Sequence, residues 1–311
     1  MYTVDIVVPC FNEEAVLNMF YEESKKVFDS ISNYDFRYIF VNDGSKDNTI
    51  GILRALAQKD HNVKYISFSR NFGKESAMYA GLVNTKADLV VVMDADLEHP
   101  PTLIPEMIEK IEEGYDSVAA MRSSRRRGIK SMFSSLFYKL SNRFTDVEMK
   151  KNTQDFRMMT RQMVDSILKM TETQRFTKGI FAWVGFETAW IEHEDVERPA
   201  GETKWSFRSL FKYAIRGITS FSTSPLRFLT VSGLFISFLA FIAIIVSLIR
   251  RFAFGIVGAD GFTIILITIL FLGGIVEMSL GILGEYIANI YLETKDRPIY
   301  ITKETNIEDA K

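Results

Sequence analysis

Cysteine and histidine are scarce: a chain of 311 residues has one cysteine, Cys10, and three histidines. No internal disulfide or cysteine-based zinc site can form, which suits a reducing compartment. His61, His99 and His193 share no metal-ligand spacing and are expected to be structural or solvated. Charge of one sign is also lacking. A net charge of −2 and a pI near 6.0 carry no electrostatic footprint for nucleic acid, so no such partner is expected. No Walker loop and no G-x-G-x-x-G follow the first apolar run, which removes the main support for ATPase or dinucleotide-binding chemistry. The stretch Met1 to Pro9 has neither the basic region nor the long apolar core of a signal peptide.

Long hydrophobic runs are present, and they are confined to one region. Phe228 to Ile249 contains no charged side chain, enough helix to cross about 30 Å of hydrocarbon. After a link from Arg250 to Asp260, a second apolar stretch runs from Gly261 to about Ala288, interrupted by Glu277 and Glu285. Its glycines, Gly273, Gly274, Gly281 and Gly284, permit close helix contact in a membrane, so Glu277 is expected to face protein. Arg208, Lys212, Arg216 and Arg227 precede this hairpin and Lys295, Arg297 and Lys303 follow it, against Arg250 and Arg251 in the link. The positive-inside rule therefore puts both ends in the cytoplasm, with spans at about 228–249 and 261–288.

Upstream, short apolar runs alternate with longer helical patterns. Val4–Val8, Tyr38–Val41, Val63–Phe68, Leu89–Met93 and Ser117–Ala120 read as strands, and helices are expected near Glu14–Ile31, Thr49–Gln58, Glu75–Asn84 and Pro105–Glu113. This alternation predicts an α/β fold with a mainly parallel sheet. The polar loops after the strands, including Asn42-Asp43-Gly44-Ser45 and Arg70-Asn71-Phe72-Gly73-Lys74, then fall on one rim. From about Arg122 the pattern is irregular. Arg122, Arg125, Arg126, Arg127 and Lys130 precede Met132, Phe133, Leu136, Phe137, Leu140 and Phe144 at three- and four-residue spacings, as in an interfacial amphipathic helix. Phe207 to Phe221 repeats the pattern just before the first span. Two core helices with solvated charges are the alternative for these segments.

The chemistry concentrates at Asp94-Ala95-Asp96, directly after the buried-strand pattern Leu89 to Met93. Open α/β sheets bind ligands at the carboxyl edge of their strands. Two carboxylates this close repel unless a hard divalent cation, Mg²⁺ or Mn²⁺, neutralises them, and such a cation suits a diphosphate. A turn or helix cap before Pro100 and Pro101 is the alternative for an isolated Asp-x-Asp.

Three blocks, Val7-Val8-Pro9-Cys10-Phe11-Asn12-Glu13-Glu14, Val41-Asn42-Asp43-Gly44-Ser45-Lys46-Asp47-Asn48-Thr49 and Asp94-Ala95-Asp96-Leu97-Glu98-His99-Pro100-Pro101, resemble the signatures of family 2 inverting glycosyltransferases of the GT-A fold. Ser69 to Glu75, Gln154-Asp155-Phe156-Arg157, Arg175-Phe176 with Gly179 and Trp183, and Arg198-Pro199-Ala200-Gly201-Glu202-Thr203-Lys204 narrow this to the polyprenyl-phosphate glycosyltransferases. That branch contains dolichol-phosphate mannose synthase and bacterial bactoprenol glucosyltransferases. The implied architecture is a GT-A nucleotide-sugar-binding domain with a mainly parallel sheet, interfacial amphipathic helices and a two-helix transmembrane hairpin. Its expected bounds are 1–205 for the catalytic domain, 206–226 for a juxtamembrane segment, 227–290 for the hairpin and 291–311 for a cytoplasmic tail.

The resemblance also implies roles. Asp43 binds the base or ribose, with helix capping ahead of Thr49 as its alternative. Pro9, Asn12 and Glu13 shape the nucleoside pocket, with capping of its own helix as the alternative for Glu13. Asp94 and Asp96 bind metal and sugar diphosphate, with Glu98 either a third ligand or a contact to sugar hydroxyls. Asp155 holds the place of the base, as a proton acceptor or an orienting group. Arg122, Arg198 and Lys204 contact phosphate, and Glu197 to Ser206 forms a lid. Trp183 and Trp205 receive no assignment, and Arg125, Arg126 and Arg127 are expected at lipid headgroups.

The implied reaction is inverting transfer of glucose or N-acetylglucosamine from a UDP-sugar to a polyprenyl phosphate, undecaprenyl phosphate in bacteria, on the cytoplasmic face of a multi-pass membrane protein. Homo-oligomerisation through the hairpin and a separate flippase for the product complete the expectation. One rival is a processive polysaccharide synthase, which carries a Gln-x-x-Arg-Trp motif and more spans than are found here. The other is a non-catalytic scaffold that binds nucleotide sugar, whose mark would be erosion of Asp94, Asp96 or Asp155.

Overall fold

The computed structural model describes residues 1–123, 150, 153–193, 217, 219–254 and 261–308. The basic and amphipathic stretch from Arg125 to Phe144, the segment with Arg198, Lys204 and Trp205, and most of Phe207 to Phe221 lie outside the described residues. The elements run β1 (Tyr2–Cys10), α1 (Leu17–Phe28), β2 (Tyr34–Asn42), α2 (Thr49–Lys59), β3 (Val63–Phe68), α3 (Lys74–Val83), β4 (Leu89–Val92), α4 (Ile104–Glu112) and β5 (Ser117–Arg122). Then follow β6 (Thr153–Thr160), α5 (Arg161–Leu168), α6 (Thr177–Trp183), β7 (Thr188–His193), α7 (Ser224–Phe254), α8 (Gly261–Thr294) and β8 (Thr302–Thr305).

Eight strands form one sheet in the order β7-β5-β6-β4-β1-β2-β3-β8. The centre, β4-β1-β2-β3, is parallel, as the strand–helix alternation predicts. Strand β6 inserts antiparallel between β4 and β5, and β8 pairs antiparallel with β3. Period-two alternation sorts the apolar side chains onto both faces. Val4, Ile6 and Val8 join Phe20, Phe40, Leu53 and Met107 on one side. Val7, Ile39 and Val41 join Met78, Met163, Val164 and Ile180 on the other. The result is a three-layer α/β domain with its polar loops at the carboxyl ends of the parallel strands.

The segment expected as a tail contributes to the sheet. Beyond the backbone pairing of β8, Arg54 Nε donates to Glu304 Oε1 at 2.8 Å, Tyr65 Oη donates to the same oxygen at 2.7 Å, and Asn306 Oδ1 accepts from Tyr65 N at 2.7 Å. These residues satisfy the donors and acceptors that would otherwise line an open edge.

Helices α7 and α8 are long and apolar enough to cross a membrane, by length and composition. Their large apolar side chains face outward: Phe228 is 62% exposed, Leu234 68%, Leu270 67% and Phe271 63%. An exposed apolar surface of this size marks a site of contact with protein or membrane. The second helix does not use its glycines as expected within one chain, because a Cβ at Gly273, Gly274, Gly281 or Gly284 would meet no atom within 4 Å. Glu277 is likewise exposed. The end of α8 is instead fastened by polar contacts to the segment before α7 and to the loop after α5. Tyr286 Oη donates to the Ser222 carbonyl at 2.5 Å, and the Glu293 carboxylate accepts from Thr173 N at 2.9 Å and Gln174 N at 3.1 Å.

Candidate active site

The first rim loop is stitched to the second by polar contacts. Asn12, in the left-handed region at φ +54°, donates its backbone N–H to Ser45 Oγ at 2.9 Å, and its Oδ1 accepts from Lys46 N at 2.9 Å. Glu13 N donates to Thr49 Oγ1 at 2.9 Å, while the Glu13 carbonyl accepts from Leu17 N at 3.0 Å and so caps the first turn of α1 through its backbone. Pro9, half-buried near the end of β1, pairs with Val41 of β2. Cys10 is buried beneath this loop; burial pushes its thiol well above the ordinary range, so it is unreactive.

Asp43 does not cap α2. Asp47 performs that task, its Oδ1 accepting from Thr49 Oγ1 at 2.6 Å and Thr49 N at 3.1 Å. The buried Asp43 carboxylate instead accepts from Phe72 N at 2.6 Å and Gly73 N at 3.0 Å, tying the β2 loop to the start of α3. Burial pushes Asp43 up to about 6, against the lowering effect of those two N–H donors and Arg70.

Gly44 makes this junction feasible. Its φ is +63°, and a Cβ there would lie 2.3 Å from the Arg70 carbonyl carbon and 2.6 Å from Asn71 N, both backbone atoms that no rotamer change can move. At Gly73, φ is +100° but a Cβ would meet nothing within 4 Å. Gly44→Ala should therefore destabilise by about 3 kcal/mol, combining strain with overpacking, and should cost more than Gly73→Ala. Thermal unfolding checks this, with an expected Tm fall of about 6 to 12 °C for Gly44→Ala.

The carboxylate loop follows β4. His99 is buried, stacks on Phe156 with ring centroids 5.2 Å apart, and accepts the Asp94 N–H on Nδ1 at 3.0 Å. Burial lowers its pKa, so it is a neutral structural imidazole that fixes the Asp94 backbone. Glu98 N donates to Asp96 Oδ1 at 3.1 Å, and the intervening Leu97 sits at φ +59°, an uncommon conformation for a bulky side chain. The loop is thus held in one strained shape that presents Asp94 and Asp96.

Asp155 arrives from the neighbouring strand. It and Asp94 both grip Lys74, whose Nζ lies 2.7 Å from Asp94 Oδ1 and 2.6 Å from Asp155 Oδ2. Burial opposes charge on Asp155, but Lys74 and Lys178 overcome it and hold the carboxyl well below the usual range. Asp155 is consequently a fixed anion, weak as a proton acceptor. Arg157, two residues along β6, is buried between Phe181 and Trp190, with Nη1 donating to Ser117 Oγ at 3.0 Å. Burial lowers it to about 10.

Arg122 ends β5 and forms an ion pair with Glu98. With the Gln154 amide oriented to satisfy both neighbours, its Oε1 accepts from Arg122 Nε at 2.7 Å and its Nε2 donates to His193 Nε2 at 2.5 Å. Glu98, expected as a third metal ligand, is therefore engaged with Arg122. Among the described residues no three His, Cys, Asp or Glu side chains are grouped to hold a metal ion. The hard oxygen donors of Asp94 and Asp96 fit Mg²⁺ or Mn²⁺ with ligand oxygens completing the shell.

The structure thus brings together Asp43, Asp94, Asp96, Glu98, Arg122 and Asp155, with Pro9 at the end of β1 and Asn12 and Glu13 in the loop that follows it. Trp183, at the end of α6, is 60% exposed. Sequence reasoning gave no role to Lys74, Gln154 or Glu75, while His99 is structural, as expected. One signal marked Lys74: a lysine at the first position of a helix opposes the macrodipole unless an acid faces it.

A family model described as glycosyl transferase family 2 matches residues 5–168. CsbB of Bacillus subtilis (strain 168), a glycosyltransferase by name, is 45% identical over 307 residues, 98% of this chain and 92% of its own. A protein of Escherichia coli (strain K12) named prophage bactoprenol glucosyl transferase homolog is 43% identical over 302 residues, 96% of this chain and 98% of its own. The crystal structure of mannosyl-3-phosphoglycerate synthase from Rubrobacter xylanophilus shares the fold, with a TM-score of 0.50, 18% identity and 75% of each chain covered.

Proposed function

Because the chain belongs to glycosyl transferase family 2, we propose that it moves a hexose, glucose or N-acetylglucosamine, from a UDP-sugar to a polyprenyl phosphate, with undecaprenyl phosphate as acceptor. The observation that carries this reading is the meeting of Asp94 and Asp155 at one ammonium, from adjacent strands on the ligand-binding rim of the sheet. A 43% identical relative named for bactoprenol and two membrane-length apolar helices support a lipid acceptor.

In the proposed reaction an acceptor phosphate oxygen attacks the anomeric carbon. The bond from that carbon to the nucleotide diphosphate breaks, its electron pair leaves with the diphosphate, and the centre inverts. The second ionisation of a phosphate monoester lies near pH 6, so the nucleophile is largely ionised at neutral pH and needs no strong base. Asp155 then orients the reacting groups, in keeping with its fixed charge. Asp43 receives the nucleoside, and Arg122 turns its guanidinium fork to phosphate. Arg198 and Lys204 are assigned the same task on the strength of the family pattern. A divalent cation held by Asp94 and Asp96 supplies charge stabilisation for the departing diphosphate. The hairpin anchors the domain at the cytoplasmic face of the membrane and self-associates; a separate flippase moves the product.

The test is a donor screen with undecaprenyl phosphate, using labelled UDP-glucose, UDP-N-acetylglucosamine, UDP-galactose and GDP-mannose, with Mg²⁺ or EDTA. The expected result is label in organic-extractable lipid for one UDP-sugar, lost in EDTA. Label in high-molecular-weight polymer would identify a polysaccharide synthase. Binding of nucleotide sugar with no UDP release would identify a scaffold.

A further inference from the structure

Lys74 has no role in the reaction so far, yet it occupies the centre of the rim. Its Nζ is 2.7 Å from Asp94 and 2.6 Å from Asp155, and its side chain is still 37% exposed. The residues around it are tied down separately. Phe72 N and Gly73 N donate to Asp43, and Glu75 accepts from Thr177 N at 2.9 Å. The ammonium is therefore aimed at this point from the first turn of α3. Two carboxylates from adjacent strands would repel each other there without a cation. With Nζ within ion-pair distance of both carboxylates, the Lys74 ammonium already neutralises part of the negative charge that would draw in a metal.

We propose that Lys74 is the resident counter-cation of the rim and competes with the divalent ion, so that the ion loads together with the nucleotide diphosphate rather than ahead of it. The inference rests on the proposed reaction and adds an order of loading to it. A lysine suits the part because its ammonium is a mobile point charge on a flexible stem. With the diphosphate bound, its oxygens and those of Asp94 and Asp96 would hold the ion, leaving Lys74 to Asp155 and to the phosphate charge. By thermodynamic linkage, nucleotide must then tighten metal binding and metal must tighten nucleotide binding by the same factor.

The experiment follows Mn²⁺ binding by electron paramagnetic resonance on the full chain in lipid nanodiscs, with no sugar donor and no acceptor. Wild type should bind Mn²⁺ weakly, and UDP should tighten it about tenfold or more. Lys74→Met should bind Mn²⁺ without UDP about tenfold more tightly than wild type, with a smaller further gain from UDP. Lys74→Arg, which keeps the charge, should match wild type. If Lys74→Met loses its circular-dichroism signature, Lys74→Gln takes its place. The proposal is overturned if the neutral variants bind Mn²⁺ no more tightly than wild type, or if wild type binds it as tightly without UDP as with it. Neither result depends on sugar transfer. A protein that shows the Mn²⁺ pattern but transfers no sugar would overturn the reaction and leave the order of loading standing.

Discussion

Asp96→Asn should lower sugar transfer by about 10³-fold or more at saturating donor and acceptor, with the protein still folded and in the membrane fraction. The substitution is chosen for what it keeps. Asp96 Oδ1 accepts from Glu98 N at 3.1 Å, and an asparagine Oδ1 can accept the same bond, so the Leu97 turn retains its shape. What goes is one formal charge on a group placed to bind the cation. Asp94→Asn is a poorer probe, because Asp94 also holds Lys74 and its loss would disturb Asp155. The measurement is kcat for incorporation into extractable lipid across a range of Mg²⁺ concentrations. Turnover within about tenfold of wild type, unchanged by EDTA, would remove the metal from the reaction.

The second large effect is at Asp155. Asp155→Asn should reduce kcat by about 100-fold or more, since displacing reacting groups by ~1 Å is enough to cost that much. The pH profile separates an orienting anion from a base. Lys74 and Lys178 hold Asp155 below its usual range, so a fall in rate near pH 6 is expected from other groups. Two other groups titrate there: the acceptor phosphate, and Asp43, which burial pushes up to about 6. As pH drops through 6 both take up protons, and the rate falls. The Asp155→Asn variant should keep this acidic limb at its lower rate. Loss of the limb in the variant would make Asp155 the titrating base instead.

The parallel half of the fold was legible because β1, β2, β3 and β4 are largely buried and read as short, mainly apolar runs, with only β4, Leu89-Val90-Val91-Val92, free of polar residues. Strand β6 was hidden by its own function. It opens with Thr153, Gln154 and Asp155, polar residues that serve the rim, and Arg157 interrupts the apolar part. Strand β8, Thr302-Lys303-Glu304-Thr305, contains no apolar residue; its place depends on the unpaired edge of β3, which no local pattern encodes. The acidic residues of the site were readable from spacing and resemblance. Their partners were not. That Glu98 meets Arg122, or that Lys74 spans Asp94 and Asp155, is set by the antiparallel insertion of β6 beside β4.

Strand β8 follows both apolar helices in the chain, so the ribosome makes it last. While the earlier strands are being synthesised, the outer row of β3 has no pairing partner, and Arg54 and Tyr65 await Glu304. The sheet therefore closes only after the two long apolar helices have been synthesised, so the order of the elements along the chain delays completion of its β3 edge. Bare edges of this kind recruit other strands, so a nascent chain stalled before residue 302 would be a substrate for chaperones or a seed for aggregation.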